Sequence, residues 1–200
     1  MDWSVVFFFN SILLGVGLAM DAFSVSLANG LAETNMRRGK VNLIAGTFGF
    51  FQALMPMVGW VCVHTIVQRF EAFEKFIPWI ALVLLLYIGG KMLIESIINI
   101  RKGREGEDVS ITKVTFGALM VQGVATSIDA LSVGFTISDY GWIQALVCAL
   151  IIAVVTYFIS TVGLHIGKKV GTKFSNKAGI LGGSILIFIG LEIFIKGVFF

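Results

Sequence analysis

The 200 residues are short of charge, proline and cysteine. Charged residues make up 14% of the chain, where soluble domains carry about a quarter, so lipid is the expected solvent. Only two prolines and two cysteines are present. Cys62 and Cys148 stand alone in apolar segments, without CxxC or Cys/His ligand spacing, and read as small core thiols. No GxxxxGK[ST] occurs, and Gly89-Gly90-Lys91 lacks both the upstream Gly and the following Ser/Thr, which argues against ATP-driven pumping. The net charge is only +3 and the basic residues lack interleaved aromatics, so no nucleic-acid partner is expected. A basic signal-peptide n-region is missing as well. Met1-Asp2-Trp3 is acidic, and the apolar run behind it is long enough to span, so it reads as a retained helix.

What is present is apolar: 57% of residues are hydrophobic and the mean hydropathy is +0.93. The 23 glycines follow no G-X-Y period, and such glycines are normal where membrane helices pack closely. Six segments meet the ~20 apolar residues needed to cross a hydrocarbon core: Val5–Ala28, Asn42–Ile66, Ile77–Ile98, Val114–Ile137, Trp142–Ile166 and Gly179–Val198. The chain therefore reads as an all-α integral membrane protein with the lipid bilayer as its surroundings.

The basic residues set its direction. Arg37, Arg38, Lys40, Arg101, Lys102, Arg104, Lys113, Lys168, Lys169, Lys173 and Lys177 fall on one side, against Arg69 and Lys75 on the other. The positive-inside rule then puts both termini outside the cytoplasm. Trp3, Trp79, Tyr140 and Trp142 fall at the outer ends, as an interfacial belt would.

A shift of 108 residues lays Gly15-Val16 on Gly123-Val124, Asp21-Ala22 on Asp129-Ala130 and Ser24-Val25 on Ser132-Val133. A shift of 104 pairs Val58-Gly59 with Val162-Gly163, and one of 101 pairs Leu85–Gly89 with Leu186–Gly190. Three helices per copy is an odd number, so the second copy enters the membrane from the opposite side. The expected architecture is two inverted three-helix repeats, residues 1–100 and 114–200, joined by a cytoplasmic linker at 101–113. Such repeats place a substrate site near the midplane between them.

Four acids lie inside spans: Asp21, Glu95, Asp129 and Glu192. Each costs about 2.5–3.5 kcal/mol at a helix centre on insertion scales, which makes function the default expectation. Asp21 shares a helical face with Gly17, Ser24 and Ala28, and Asp129 shares one with Ala125, Ser132 and Thr136. Beside them run two small-residue stripes, Gly15/Ala19/Ala22/Ser26 and Gly123/Ser127/Ala130/Gly134, suited to close helix contact. Two such carboxylates either share a proton or neutralise a divalent cation; a structural carboxylate bonded to Ser or backbone is the plainer alternative. Gln52, Met55, Pro56 and Gly59 share a face of the second span, and Pro56 cannot donate to the Gln52 carbonyl. Gln52 would offer amide and carbonyl oxygens and Met55 a thioether. Lys91/Glu95 and Glu192/Lys196 are four apart and are explained by ion pairing, with a proton-carrying acid as the second account. Oxygen ligands of this kind suit Mg²⁺, Ca²⁺ and Mn²⁺ better than Zn²⁺ or Cu⁺.

The strings Gly17-Leu18-Ala19-Met20-Asp21-Ala22-Phe23-Ser24, Phe48–Trp60, Gly89-Gly90-Lys91-Met92-Leu93-Ile94-Glu95 and Ala125-Thr126-Ser127-Ile128-Asp129-Ala130 resemble the signatures of the bacterial manganese efflux pumps of the MntP type. The resemblance runs through nearly the whole chain. It implies a six-helix inner-membrane exporter of the lysine-exporter superfamily, with Mn²⁺ as transported substrate rather than cofactor. It also implies functional acids at Asp21, Asp129 and Glu95. The resulting ligand expectation is Asp21, Asp129, Gln52, Ser24, Ser132, Glu95 and Met55, in a transporter rather than an enzyme, with homo-oligomerisation left open. An amino-acid exporter of the same superfamily is the alternative. An intramembrane aspartyl protease is a further one, although no Tyr-Asp or Gly-x-Gly-Asp motif precedes either site.

Overall fold

Hydrocarbon offers backbone N–H and C=O groups no water, so an apolar chain of this length must satisfy them within itself, and a helix does so locally. The computed structural model describes residues 5–65, 77–101, 114–173 and 178–199. These form α1 (Val5–Ala32), α2 (Arg38–Thr65), α3 (Ile77–Arg101), α4 (Phe116–Ala125), α5 (Ile128–Thr136), α6 (Trp142–Lys173) and α7 (Ala178–Phe199). No strand occurs among the described residues. Four stretches among them are long and apolar enough to cross a membrane: Val5–Ala32, Arg38–His64, Phe116–Thr136 and Trp142–Gly171. The linker at 102–113 lies outside the described residues, as do the side chains of Glu95, Glu192 and Lys196.

Two expectations change. The fourth apolar segment is not one continuous helix: it breaks at Thr126–Ser127 into α4 and α5. The cause is local. Thr126 Oγ1 donates to the Gln122 carbonyl at 2.9 Å, and Ser127 Oγ to the Gly123 carbonyl at 2.8 Å. Hydroxyls that bond back onto the preceding turn bend helices, and two in succession end this one. α2 runs unbroken through Pro56, in keeping with its single apolar segment. α1 continues to Ala32 and α6 to Lys173, beyond the expected span ends.

The helices meet where small residues let backbones approach. α1 lies along α6 and runs in the same direction, with Gly15 against Ile152 and Val155, Gly163 against Phe23 and Ser26, and Gly30 against Leu164 and Gly167. A Cβ on Gly163 would lie 2.8 Å from the Phe23 carbonyl oxygen and 3.1 Å from Ser26 Cβ. α5 lies on α2 in the same manner. A Cβ on Gly59 would run into the Leu131 carbonyl oxygen, and one on Gly134 into that of Pro56. α3 and α7 pack antiparallel through Gly89 and Gly183, and α2 and α7 also pack against α6 and α1 respectively. Both expected small-residue stripes are buried in these contacts, with Ala19, Ala22, Ala130 and Ser127 at 0% exposure.

The two ends of the bundle differ in chemistry. At one end Phe7, Trp60, Tyr140 and Trp142 gather, with Trp60 Nε1 donating to the Tyr140 carbonyl at 2.9 Å. At the other, Glu33 Oε2 accepts from Lys40 Nζ at 2.5 Å and from the Val114 N–H at 3.2 Å, and Lys168 Nζ donates to the Met36 carbonyl at 2.7 Å.

Gly163→Ala puts a methyl against the Phe23 carbonyl and should lower stability by ~1–3 kcal/mol, the usual range for overpacking. Gly46→Ala, where nothing lies within 4 Å, should change it by less than about 0.5 kcal/mol. Thermal unfolding of the two variants in detergent, followed by size-exclusion fluorescence, measures the contrast.

Candidate cation site between α1, α2 and α5

Asp21 sits in the middle of α1, half-buried, beside the fully buried Ala22. Its place follows from the helix period: the stripe of Gly15, Ala19, Ala22 and Ser26 faces α6, and Asp21 flanks it. Ser24 is half-buried, and its hydroxyl donates to the Met20 carbonyl at 3.0 Å. Gly17 opens the same face, with nothing within 4 Å of where its Cβ would be.

Asp129 flanks the corresponding contact, that of α5 with α2. Ala130 next to it is fully buried, while Asp129 itself is exposed. The break in the helix puts Asp129 in the first turn of α5, and its Oδ1 accepts the Ala130 N–H at 2.9 Å. A carboxylate in the first turn is favoured by the partial positive charge of a helix N-terminus, by ~0.3–1 kcal/mol where exposed. Ser132 and Thr136 follow on the exposed face of α5, with Thr136 Oγ1 donating to the Ser132 carbonyl at 3.2 Å.

α2 touches both carboxylate-bearing helices. Gln52 is 1% exposed, and its Nε2 donates to the Leu18 carbonyl on α1 at 2.6 Å, one turn before Asp21. Its Oε1 is buried without a partner. Met55 packs against the cluster that holds Leu18 and Ala130. Gln52 thus touches the neighbourhood of Asp21 and Met55 that of Asp129, whereas the Ser24 hydroxyl turns to its own helix and Ser132 lies on the exposed face of α5. Glu95 falls outside the described side chains. Among the described residues no three His, Cys, Asp or Glu side chains gather, so a cation here would draw on amide, hydroxyl or carbonyl oxygen besides carboxylate. His64 and His165 are exposed, and each ring Nδ1 lies 2.8 Å from the carbonyl one turn earlier in its own helix, Trp60 or Thr161. Neither belongs to the site.

One feature is absent from the expected set. Asn29 on α1 and Gln122 on α4 form a reciprocal amide pair, Asn29 Nδ2 to Gln122 Oε1 at 2.8 Å and Gln122 Nε2 to Asn29 Oδ1 at 3.2 Å. Both residues are 1% exposed. The pair ties α1 to α4 just ahead of the break. Neither residue has a polar counterpart at the 108 shift, where Leu14 and Ile137 stand, so the repeat gave no signal for it.

Residues 35–194 match the family model described as "Mntp: Putative manganese efflux pump". The chain is 42% identical over 192 residues to the Putative manganese efflux pump MntP of Methanothermobacter thermautotrophicus, covering 94% of this chain and 96% of that protein. It is 39% identical over 189 residues to the protein of that name from Ruminiclostridium cellulolyticum, covering 94% and 96%. With the one from Methanobrevibacter smithii the figures are 39% over 194 residues, 96% and 98%. No solved structure matches the chain.

Gln122→Leu strands the Asn29 amide in the protein interior and should cost about 1–3 kcal/mol, the penalty for a buried polar group left unsatisfied. Asn29→Leu combined with Gln122→Leu should recover most of that loss. The cycle is read from melting temperatures of the single and double variants.

Proposed function

The chain belongs to the MntP family, and on that premise we propose that it is a secondary transporter that exports Mn²⁺ from the cytoplasm across the cell membrane. In this proposal it crosses the bilayer six times, with α4 and α5 together making one crossing. Both termini lie outside, because the end that holds Glu33, Lys40 and Lys168 carries the basic loops.

The observation that carries the proposal is a pair of equivalent backbone contacts. Gly163 meets the Phe23 carbonyl, and Gly59 meets the Leu131 carbonyl. Shifts of 104 and 108 carry the first contact onto the second, and the same shifts carry Gly15 against Val155 onto Gly123 against Phe51. The helix pairs obey the same exchange: α1–α6 becomes the pair of α4/α5 with α2, and α1–α7 becomes the pair of α4/α5 with α3. These correspondences support two inverted three-helix repeats, with Asp21 and Asp129 in matching places beside the two contacts.

Two carboxylates neutralise one divalent ion. Gln52 Oε1 is a buried oxygen with no competing donor, and Met55 adds a polarisable sulfur that favours Mn²⁺ over Mg²⁺ or Ca²⁺. Ser24 would join by turning its hydroxyl off the Met20 carbonyl, Ser132 from its place on α5, and Glu95 would complete or protonate the set. Alternating access follows from rocking one repeat against the other about this site. Asp21 would face it from mid-helix and Asp129 from a helix start, so movement of one repeat against the other would change the two carboxylates' access to the ion unequally.

In proteoliposomes carrying a metal-quenched dye, the wild type should pass Mn²⁺ faster than Mg²⁺, Ca²⁺ or Zn²⁺. Asp21→Asn and Asp129→Asn should each reduce Mn²⁺ flux by at least tenfold. Equal flux in either variant would remove the paired carboxylates from the mechanism, and no flux of any cation from folded wild type would remove the metal itself.

A further inference from the structure

Serine and threonine hydroxyls inside a helix normally satisfy themselves by donating to the carbonyl four residues back. Among the described residues, Ser11, Ser24, Thr47, Thr126, Ser127, Thr136 and Thr161 do so. Ser26, Thr156 and Ser160 do not. All three are 0% exposed and their hydroxyl oxygens have no partner, as has Oε1 of Gln52.

The four oxygens are not scattered. Gln52 holds the Leu18 carbonyl, which fixes its level on α1. Gly15 lies against Ile152 and Val155, and Gly163 against Phe23 and Ser26, so Thr156 and Ser160 fall between those levels on α6. Gln52, Thr156, Ser160 and Ser26 therefore follow one another along the α1–α6 seam. Leu18 to Ser26 is eight residues, or ~12 Å at the helical rise. Between these levels α1 presents the small, fully buried Ala19 and Ala22.

We propose that this seam holds a file of ordered water that carries protons between the midplane cation site and the cytoplasmic end of α1. The proposal rests on the transport function above. The hydroxyls of Ser26, Thr156 and Ser160 are neutral and strung out rather than convergent, so they fit a row of waters better than one metal ion, and Gln52 Oε1 stands where the row meets the cation site. A buried water makes two to four hydrogen bonds, and each unpaired hydroxyl can both donate and accept. Beyond Ser26, Asn29 and Glu33 carry polar groups to the charged end at intervals of three and four residues. A proton displaced from the site by arriving Mn²⁺ enters the file. Each water passes one proton on as it receives another, and a proton leaves at the cytoplasmic end. Nothing is oxidised or consumed.

Two experiments test this on the full chain. The first is proton flux in Mn²⁺-loaded proteoliposomes, read with a pH dye, for the wild type and for Thr156→Val combined with Ser160→Ala. The near-isosteric changes remove hydroxyls that bond to nothing in the protein. Mn²⁺-driven proton flux should fall at least tenfold while Mn²⁺ binding to the detergent-solubilised protein changes less than twofold; unchanged proton flux overturns the proposal. The second is the reaction of silver ion, which is about the size of water, with Ser160→Cys. The new thiol should react at least a hundredfold faster than Cys148, which is equally buried; equal inertness means a dry seam and overturns the proposal. If the wild type moved no Mn²⁺, the transport function would fail instead, and the silver reaction would still decide whether the seam holds water.

Discussion

The close approach of helix backbones at glycine is the constraint on which the rest of this molecule depends. In lipid there is no hydrophobic drive to bring two helices together, so contact area and interhelical hydrogen bonds must do it, and both need backbones near one another. Gly163 against Phe23 and Gly59 against Leu131 supply that approach for the pairs α1–α6 and α2–α5. Asp21 and Asp129 each stand next to an alanine sealed in one of those contacts. Their positions are therefore set by packing, and their own interactions need not hold them there. A carboxylate placed this way can change partners during a transport cycle without loosening the fold.

The two halves are alike in contact and unlike in detail. At the 108 shift Leu18-Ala19 corresponds to Thr126-Ser127. The apolar pair continues α1 as one helix, whereas the hydroxyl pair ends α4. Asp21 is consequently a mid-helix residue and half-buried, while Asp129 opens a new helix and is exposed. In the proposed cycle this difference gives the two acids different solvation, which a strictly symmetric site would not provide. The Asn29–Gln122 pair belongs to the same asymmetry, since it stiffens the segment just before the break.

Much of this was legible in the sequence because it depends on residue size and spacing. Gly15, Ala19, Ala22 and Ser26, and their counterparts 108 residues on, announce a close contact whatever the partner helix turns out to be. The apolar runs likewise mark α1, α2 and α6, although the observed helices extend into the polar ends. The break at Thr126–Ser127 was not anticipated, because an apolar run conceals a hydroxyl pair whose effect depends on rotamer. Pro56 carried the opposite lesson: α2 continues through it, since one missing N–H does not end a helix held on both sides by α5 and α6. Buried amide pairs and unpaired hydroxyls need two helices in register before they can be seen, and no single segment reveals them.

The central claim is that Asp21 and Asp129 hold one metal ion jointly. Electron paramagnetic resonance of Mn²⁺ titrated into the purified protein tests it most directly, because bound Mn²⁺ is distinguished from free by its lost six-line signal. One ion per chain in the wild type is expected, and no measurable site in either Asp21→Asn or Asp129→Asn. A variant lacking one of the two carboxylates that still bound one ion with unchanged affinity would contradict the account.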